Sequence, residues 1–141
     1  MTRRVLITGH NGYVGSRMAP AIQEAGWDVV GLDVGYYSPC NLYPDNSNIP
    51  AIWKDIRDVS ADDVKEFDAV IHLAALSNDP IGNLNQDWTD QINFEASVRL
   101  AKAAKEAGVP RFLFSSSCIM YGMAEASTVD ETSPLDPKTV T

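Results

Sequence analysis

Arg4-Val5-Leu6-Ile7-Thr8-Gly9-His10-Asn11-Gly12-Tyr13-Val14-Gly15 stands at the head of the chain, and its reading decides the fold. The first five residues form a short apolar run, as expected of a parallel strand buried on both faces. Ser16 to Ala25 then reads as a helix that Gly26 stops. A strand, a glycine-rich turn and a helix in this order make a phosphate-binding unit. The early glycines are expected to allow positive φ and to let backbone reach a pyrophosphate with no Cβ in the way. The N–H groups at the helix start, with the positive end of its dipole, then hold the anion. The spacing is G-x-x-G-x-x-G, which by itself also suits a strand–helix turn that binds nothing.

Further along the chain the same alternation repeats. Asp28-Val29-Val30-Gly31-Leu32-Asp33 reads as a second strand closing on an acid, eighteen residues after Gly15. That is close to the spacing at which a carboxylate receives the hydroxyls of an adenosine ribose. Such a carboxylate repels a 2′-phosphate, so it favours NAD over NADP. Residues 34–50 carry turn formers throughout and are expected to be a long loop, whose tyrosines either cover the adenine or pack the loop down. Ala51-Ile52-Trp53-Lys54 is a third strand, and Asp55-Ile56-Arg57-Asp58 follows it. A short helix over 61–66 leads to a fourth strand, Asp68-Ala69-Val70-Ile71-His72-Leu73. His72 inside that apolar run reads as a packed core histidine, not a base. The polar stretch 77–83 is a loop. From Gln86 to Ala107, Ile92, Ala96, Leu100 and Ala103 recur at helical spacing, and Gly108-Val109-Pro110 ends the pattern. Arg111-Phe112-Leu113-Phe114-Ser115 is the fifth strand. Alternating β and α with short connections imply one α/β domain over 1–141, with a Rossmann-like, doubly wound parallel sheet of about five strands. Gly9, Asp33, Asp55, Ala74 and Ser117 all fall at strand carboxyl ends, where ligands bind in such a sheet.

Composition narrows the partners. The chain has 141 residues and a net charge of −8. That charge argues against nucleic acid or an anionic membrane surface, both polyanions. No apolar run approaches membrane-spanning length, and Met1 leads through a charged pair straight into a strand, with no visible signal peptide. The two cysteines, Cys40 and Cys118, lie far apart and belong to no metal-ligand pattern. They read as reduced thiols of a cytoplasmic protein, with Cys118 expected to be buried and inert.

These pieces together resemble the N-terminal half of an extended short-chain dehydrogenase/reductase of the nucleotide-sugar epimerase/dehydratase group. The matching segments are Thr8-Gly9-x-x-Gly12-Tyr13-x-Gly15, Leu32-Asp33, Asp55-Ile56-Arg57-Asp58, His72-Leu73-Ala74-Ala75, Asn93 and Phe114-Ser115-Ser116-Ser117-x-x-x-Tyr121-Gly122. The resemblance implies NAD as cofactor and a nucleotide sugar as substrate. It implies that Gly9, Gly12 and Gly15 bind the pyrophosphate, with Asn11, Tyr13 and Val14 of the same turn beside the cofactor. Asp33 would take the adenosine ribose, and Asp55 and Ile56 would line the adenine pocket. Leu73, Ala74 and Ala75 would contact the cofactor beyond the pyrophosphate, while Asn93 would hold the helix–strand geometry near the nicotinamide. Ser117 matches the catalytic Ser/Thr that hydrogen-bonds the reacting sugar hydroxyl.

The family's base is the tyrosine of a Tyr-x-x-x-Lys segment, its pKa lowered by the lysine. No tyrosine follows Tyr121, and that segment belongs just beyond Thr141, so the chain reads as a fragment lacking its base. The 4,6-dehydratases carry a Glu, often after Asp, where this chain has Ile119 and Cys118, which leaves a 4-epimerase or 4-keto-sugar reductase as the parent activity. A non-catalytic dinucleotide-binding sensor or scaffold is the alternative. The resemblance further implies a homodimer formed through the helix at 86–107, whose alanines would permit close helix approach.

Overall fold

A computed structural model of the chain describes residues 2–40, 48–77, 84–123 and 128–137. Of the loops expected at 34–50 and 77–83, residues 41–47 and 78–83 lie outside the described residues. The strands are β1 (Arg4–Thr8), β2 (Asp28–Asp33), β3 (Ala51–Trp53), β4 (Ala69–His72) and β5 (Phe112–Phe114). They pair in parallel in the order β3-β2-β1-β4-β5. The helices are α1 (Gly15–Glu24), α2 (Ala61–Val64) and α3, which runs Gln86–Thr89, through a π-turn at Asp90–Glu95, and on over Ala96–Glu106.

The apolar runs become strands because both faces of this sheet are covered. Side chains alternate across β1, so Val5 and Ile7 pack with Ala19 of α1 on one face. Leu6 packs on the other face with Val70, Ala96, Leu100 and Ala103. Leu100 has no exposed surface, and burying a side chain of that size contributes about 1.5–3 kcal/mol. Three alanines of α3 are turned inward: Ala96 and Ala103 pack in that core, and Ala104 is buried. Those three cannot meet another helix, while Ala101 and Ala107 stay half-buried. What α3 turns outward is larger, with Trp88, Phe94 and Val98 exposed.

The ends are set as the sequence chemistry requires. The backbone amide of Gly26 bonds the carbonyl of Gln23, and Gly26 takes φ +92° to turn out of α1. Ser60 and Asp63 form a reciprocal capping box at the start of α2, and Asn85 caps α3 through the amides of Asp87 and Trp88. Among the described residues no helix is long and apolar enough to cross a membrane.

Candidate functional site

The winding of the sheet reverses between β1 and β4, since β2 follows β1 outward on one side and β5 follows β4 on the other. A crevice opens above the strand ends at such a point. Gly9 lies at its base with φ +73°, and a Cβ there would stand 2.8 Å from the Ala74 nitrogen and 2.9 Å from its Cα. The turn and the end of β4 thus meet backbone to backbone, which only glycine permits. Gly12 and Gly15 do not have positive φ. They answer to space instead, since a Cβ on Gly15 would come within 2.6 Å of the His10 Cα. The expectation that the early glycines jointly supply positive φ is corrected to Gly9 alone. The first i→i−4 bond of α1 runs from Ser16 N to Gly12 O at 2.9 Å. The amides of residues 13–15 lie ahead of it, at the positive end of the helix dipole.

Asp33 ends β2 beside this turn. Its Oδ2 accepts the Asn11 amide at 3.0 Å and its Oδ1 accepts the Gly35 amide at 2.8 Å. A carboxylate has about four acceptor positions, of which these two amides take two. The side chain therefore ties the glycine turn to β2 and also lines the crevice. Behind it lies His10, with 1% of its surface exposed, its Nδ1 3.9 Å from Asp33 Oδ2 and its ring 6.0 Å from that of Trp53. Burial lowers the His10 pKa, opposed by the Asp33 charge and the Leu32 carbonyl. Sequence reasoning passed over His10. The signal was Gly31, a lone glycine inside an apolar strand, which marks a close approach. The imidazole lies where the Gly31 Cβ would be.

Asp55 caps the 3₁₀ turn Ile56–Asp58 through the Arg57 amide at 2.9 Å. The Arg57 guanidinium also grips both carboxylate oxygens, at 3.0 and 2.7 Å, and holds the Asp55 carboxyl below its usual range. Arg57 reaches Gln91, and the Arg57 carbonyl accepts from Arg99, which fastens this turn to α3. Asn93, in the π-turn, accepts the Leu76 amide at 2.8 Å and donates to the Leu76 carbonyl at 3.0 Å, holding the segment after β4 at both backbone groups.

The resulting cleft has a volume of about 420 Å³ and mostly apolar walls, within the usual range for a ligand site. Gly9, Asn11, Gly12, Tyr13, Asp33, Asp55, Ile56, Ala74 and Ala75 all line it. Val14, Gly15, Leu73 and Asn93 stand outside its walls: Val14 precedes the first residue of α1, Gly15 is buried under the turn, and Leu73 packs on the α1 face. The walls also include Tyr36, Tyr37, Cys40, Lys54 and Ile92. Tyr36 and Tyr37 remain 71% and 51% exposed, so they face the cleft mouth and do not pack the loop down. Lys54 is drawn to Asp63 at 2.8 Å.

Ser117 lies beyond β5 at the same end of the sheet but is not part of these walls. It is exposed and caps the 3₁₀ turn Cys118–Tyr121, its Oγ accepting the Ile119 amide at 3.3 Å. Cys118 is exposed, which corrects the buried thiol expected from sequence, because β5 is the edge strand and the chain after it runs over the surface. Cys40 and Cys118 are both free thiols. His72 is 2% exposed, in keeping with a core histidine.

The sequence model of the NAD dependent epimerase/dehydratase family matches residues 5–140. The UDP-glucose 4-epimerase of Corynebacterium glutamicum is 31% identical over 138 residues, covering 95% of this chain and 41% of that protein. A solved UDP-glucose 4-epimerase from Stenotrophomonas maltophila, with bound NAD and formylated UDP-arabinopyranose, superposes with a TM-score of 0.84 at 30% identity, over 98% of this chain and 44% of that one. An NAD-dependent NDP-hexosamine 5,6-dehydratase involved in tunicamycin biosynthesis has a TM-score of 0.87 at 27% identity, over 99% and 45%. The chain thus spans about two fifths of the length of the curated relative.

Proposed function

We propose, from the premise that this chain belongs to the NAD dependent epimerase/dehydratase family, that it is the NAD-binding half of a nucleotide-sugar 4-epimerase or 4-keto-sugar reductase. One observation carries the cofactor part. The glycine turn, the Asp33 carboxylate and the small-residue floor at Ala74 and Ala75 converge on one cleft at the switch point. The residues present fit a dinucleotide, since the cradle between Gly9 and Ala74 is one that a single Cβ would fill. The amides of residues 13–15 would hold the pyrophosphate, and the Asp33 oxygens the ribose diol. Asp55, fixed by Arg57, and Ile56 would form the adenine wall with Tyr36 and Tyr37.

NAD supplies a hydride acceptor and donor for the sugar carbon. The chain's own share is to fix that acceptor in place and to exclude water with Ile56, Leu76 and Ile92. Ser117 would hydrogen-bond the reacting sugar hydroxyl in the whole protein, once substrate brings the two together. No tyrosine follows Tyr121 in the 141 residues, so the proton acceptor for that hydroxyl is assigned to another part of the parent enzyme. General-base assistance contributes about 10²–10⁴-fold, and the 141-residue chain is accordingly assigned binding without turnover.

Calorimetric titration of the chain with NAD and with NADP tests the reading. The expected result is saturable binding of NAD and at least tenfold weaker NADP, because a 2′-phosphate would face the Asp33 carboxylate. Equal affinity for the two would remove Asp33 from this role.

A further inference from the structure

A line of polar groups crosses the core where β1, β4 and α3 meet, behind the cleft. The Ser97 hydroxyl donates to the Asn93 carbonyl at 2.7 Å. His72 Nε2 lies 2.8 Å from Ser97 Oγ, and His72 Nδ1 lies 2.7 Å from Thr8 Oγ1. Thr8 Oγ1 also accepts the Ala74 amide at 3.3 Å and shares the Leu73 amide, at 3.3 Å, with the Thr8 backbone carbonyl at 3.1 Å. The series begins at Asn93, whose side chain holds Leu76, and ends at Ala74, against which Gly9 packs. Thr8 and His72 are register partners across β1 and β4, so the strand pairing itself brings them together.

One assignment of protons satisfies every member. A carbonyl only accepts, so the Ser97 proton goes to Asn93 O. The Ser97 oxygen must then receive, which puts the imidazole proton on Nε2. Nδ1 is left as an acceptor and takes the Thr8 hydroxyl proton. The Thr8 Oγ1 lone pairs then take the Ala74 amide and one branch of the Leu73 amide. An N–H on Nδ1 would add a third donor to that oxygen and leave the Thr8 proton without an acceptor among these partners.

We propose that His72, held as the neutral Nε2–H tautomer, is a positioning residue for the dinucleotide cleft, clamping the Thr8–Ala74 floor to the Asn93–Leu76 wall. This rests on the NAD-binding reading above. His72 is not itself a wall residue of the cleft, but Ala74 and Leu76, at the two ends of its hydrogen-bond series, both are. Its surroundings favour the uncharged ring, since the Phe112 and Phe114 rings pack at 6.3 and 5.7 Å and burial lowers its pKa to about 4.

Two measurements test the clamp. Nitrogen-15 NMR of the wild-type chain reads the tautomer directly. The expected spectrum has a protonated Nε2 and a bare Nδ1, unchanged from pH 8 to pH 5.5. A proton on Nδ1, or an ordinary histidine titration, would overturn the proposal. The second measurement is NAD affinity in Ser97→Ala and His72→Leu, with melting temperature recorded for each. Losing one such hydrogen bond is worth roughly five- to tenfold in affinity. Ser97→Ala should therefore bind NAD about fivefold more weakly while staying folded, and His72→Leu more weakly still. His72→Gln, which keeps a donor towards Ser97, should recover part of the loss. A folded Ser97→Ala chain with wild-type NAD affinity would refute the clamp. Failure of the wild-type chain to bind NAD would instead sink the cofactor reading, with the tautomer spectrum still deciding the arrangement at His72.

Discussion

Replacing Gly31 by Ala separates what backbone propensity predicts from what this structure predicts. In a strand interior glycine is about 0.5–1 kcal/mol worse than alanine, so propensity alone makes Gly31→Ala stabilising. The structure reverses the sign. A Cβ at position 31 would come closer than 3.0 Å to three atoms of the His10 ring, Cγ, Cδ2 and Nδ1. That ring has nowhere to go, being 1% exposed and set between Trp53 and the Asp33 carboxylate. Overpacking of this kind costs about 1–3 kcal/mol, and the net loss after the propensity gain should be about 1 kcal/mol. In a domain of this size that lowers Tm by roughly 3–5 °C. Function should suffer with stability, because His10 belongs to the glycine turn. Moving it pulls the Asn11 amide off Asp33 and should weaken NAD binding by roughly tenfold, the value of a hydrogen bond to a charged group. Urea melts and calorimetry on Gly31→Ala, His10→Ala and the double variant complete a cycle. The added methyl should partly fill the space left by the ring, so the double variant should be more stable than the two single losses sum to. A Gly31→Ala chain as stable as wild type, or a coupling energy near zero, would refute the argument.

Asp33→Asn should weaken NAD by about tenfold and narrow its advantage over NADP, since an amide cannot accept from both Asn11 and Gly35; titration of both cofactors checks it. Acid should destabilise the chain before its carboxylates titrate. Burial lowers His72 from 6.5 to about 4, so between those values the unfolded chain binds a proton that the folded one refuses, and stability falls with pH by about 3 kcal/mol. His10, lowered likewise, acts in the same direction, and a folded His72→Asn variant should show a flatter profile in urea melts from pH 7 to pH 4. The 141-residue chain, incubated with NAD and a panel of nucleotide sugars, should form neither NADH nor epimer, and turnover would point first to Tyr121. Any dimer formed through α3 should use Phe94 and Val98, so Val98→Lys should shift light scattering towards monomer; Leu100→Lys is no test of it, because Leu100 is fully buried.

The sheet was legible because parallel strands covered on both faces have to be apolar along their length. Val5 to Ile7, Val29 to Leu32 and Ala69 to Ile71 are such runs, and the glycines and helices between them fix the alternation. The residues at the strand ends were legible for the same reason, since position along a strand also gives position relative to the crevice. Direction around a helix was legible only in part. Periodicity found Ala96, Leu100 and Ala103 as one stripe, but it could not say that small residues there serve a sheet and not another helix. The π-turn at Asp90–Glu95 left no mark in the periodicity, although it carries Asn93, which governs the segment after β4.

The two histidines show where such reading stops. Both are almost fully buried, and both lie beside residues of the cleft. His72 was placed correctly as a core residue because its neighbours in sequence are its neighbours in the strand. Its use follows from partners 64 and 25 residues away, Thr8 and Ser97, which only the strand pairing and the helix packing bring near. His10 lies in a turn whose local pattern speaks of phosphate, and its packing partner, Gly31, was read only as part of a strand. Each half of that contact is ordinary in isolation: a polar residue in a turn, a glycine in a strand. Physical necessity appears when they are superimposed, because a ring that fills the place of a Cβ makes glycine obligatory at position 31 and fixes the turn from behind. On the proposed cofactor reading, recognition of the phosphates would depend on a residue behind the turn, and the Gly31→Ala cycle measures how strongly.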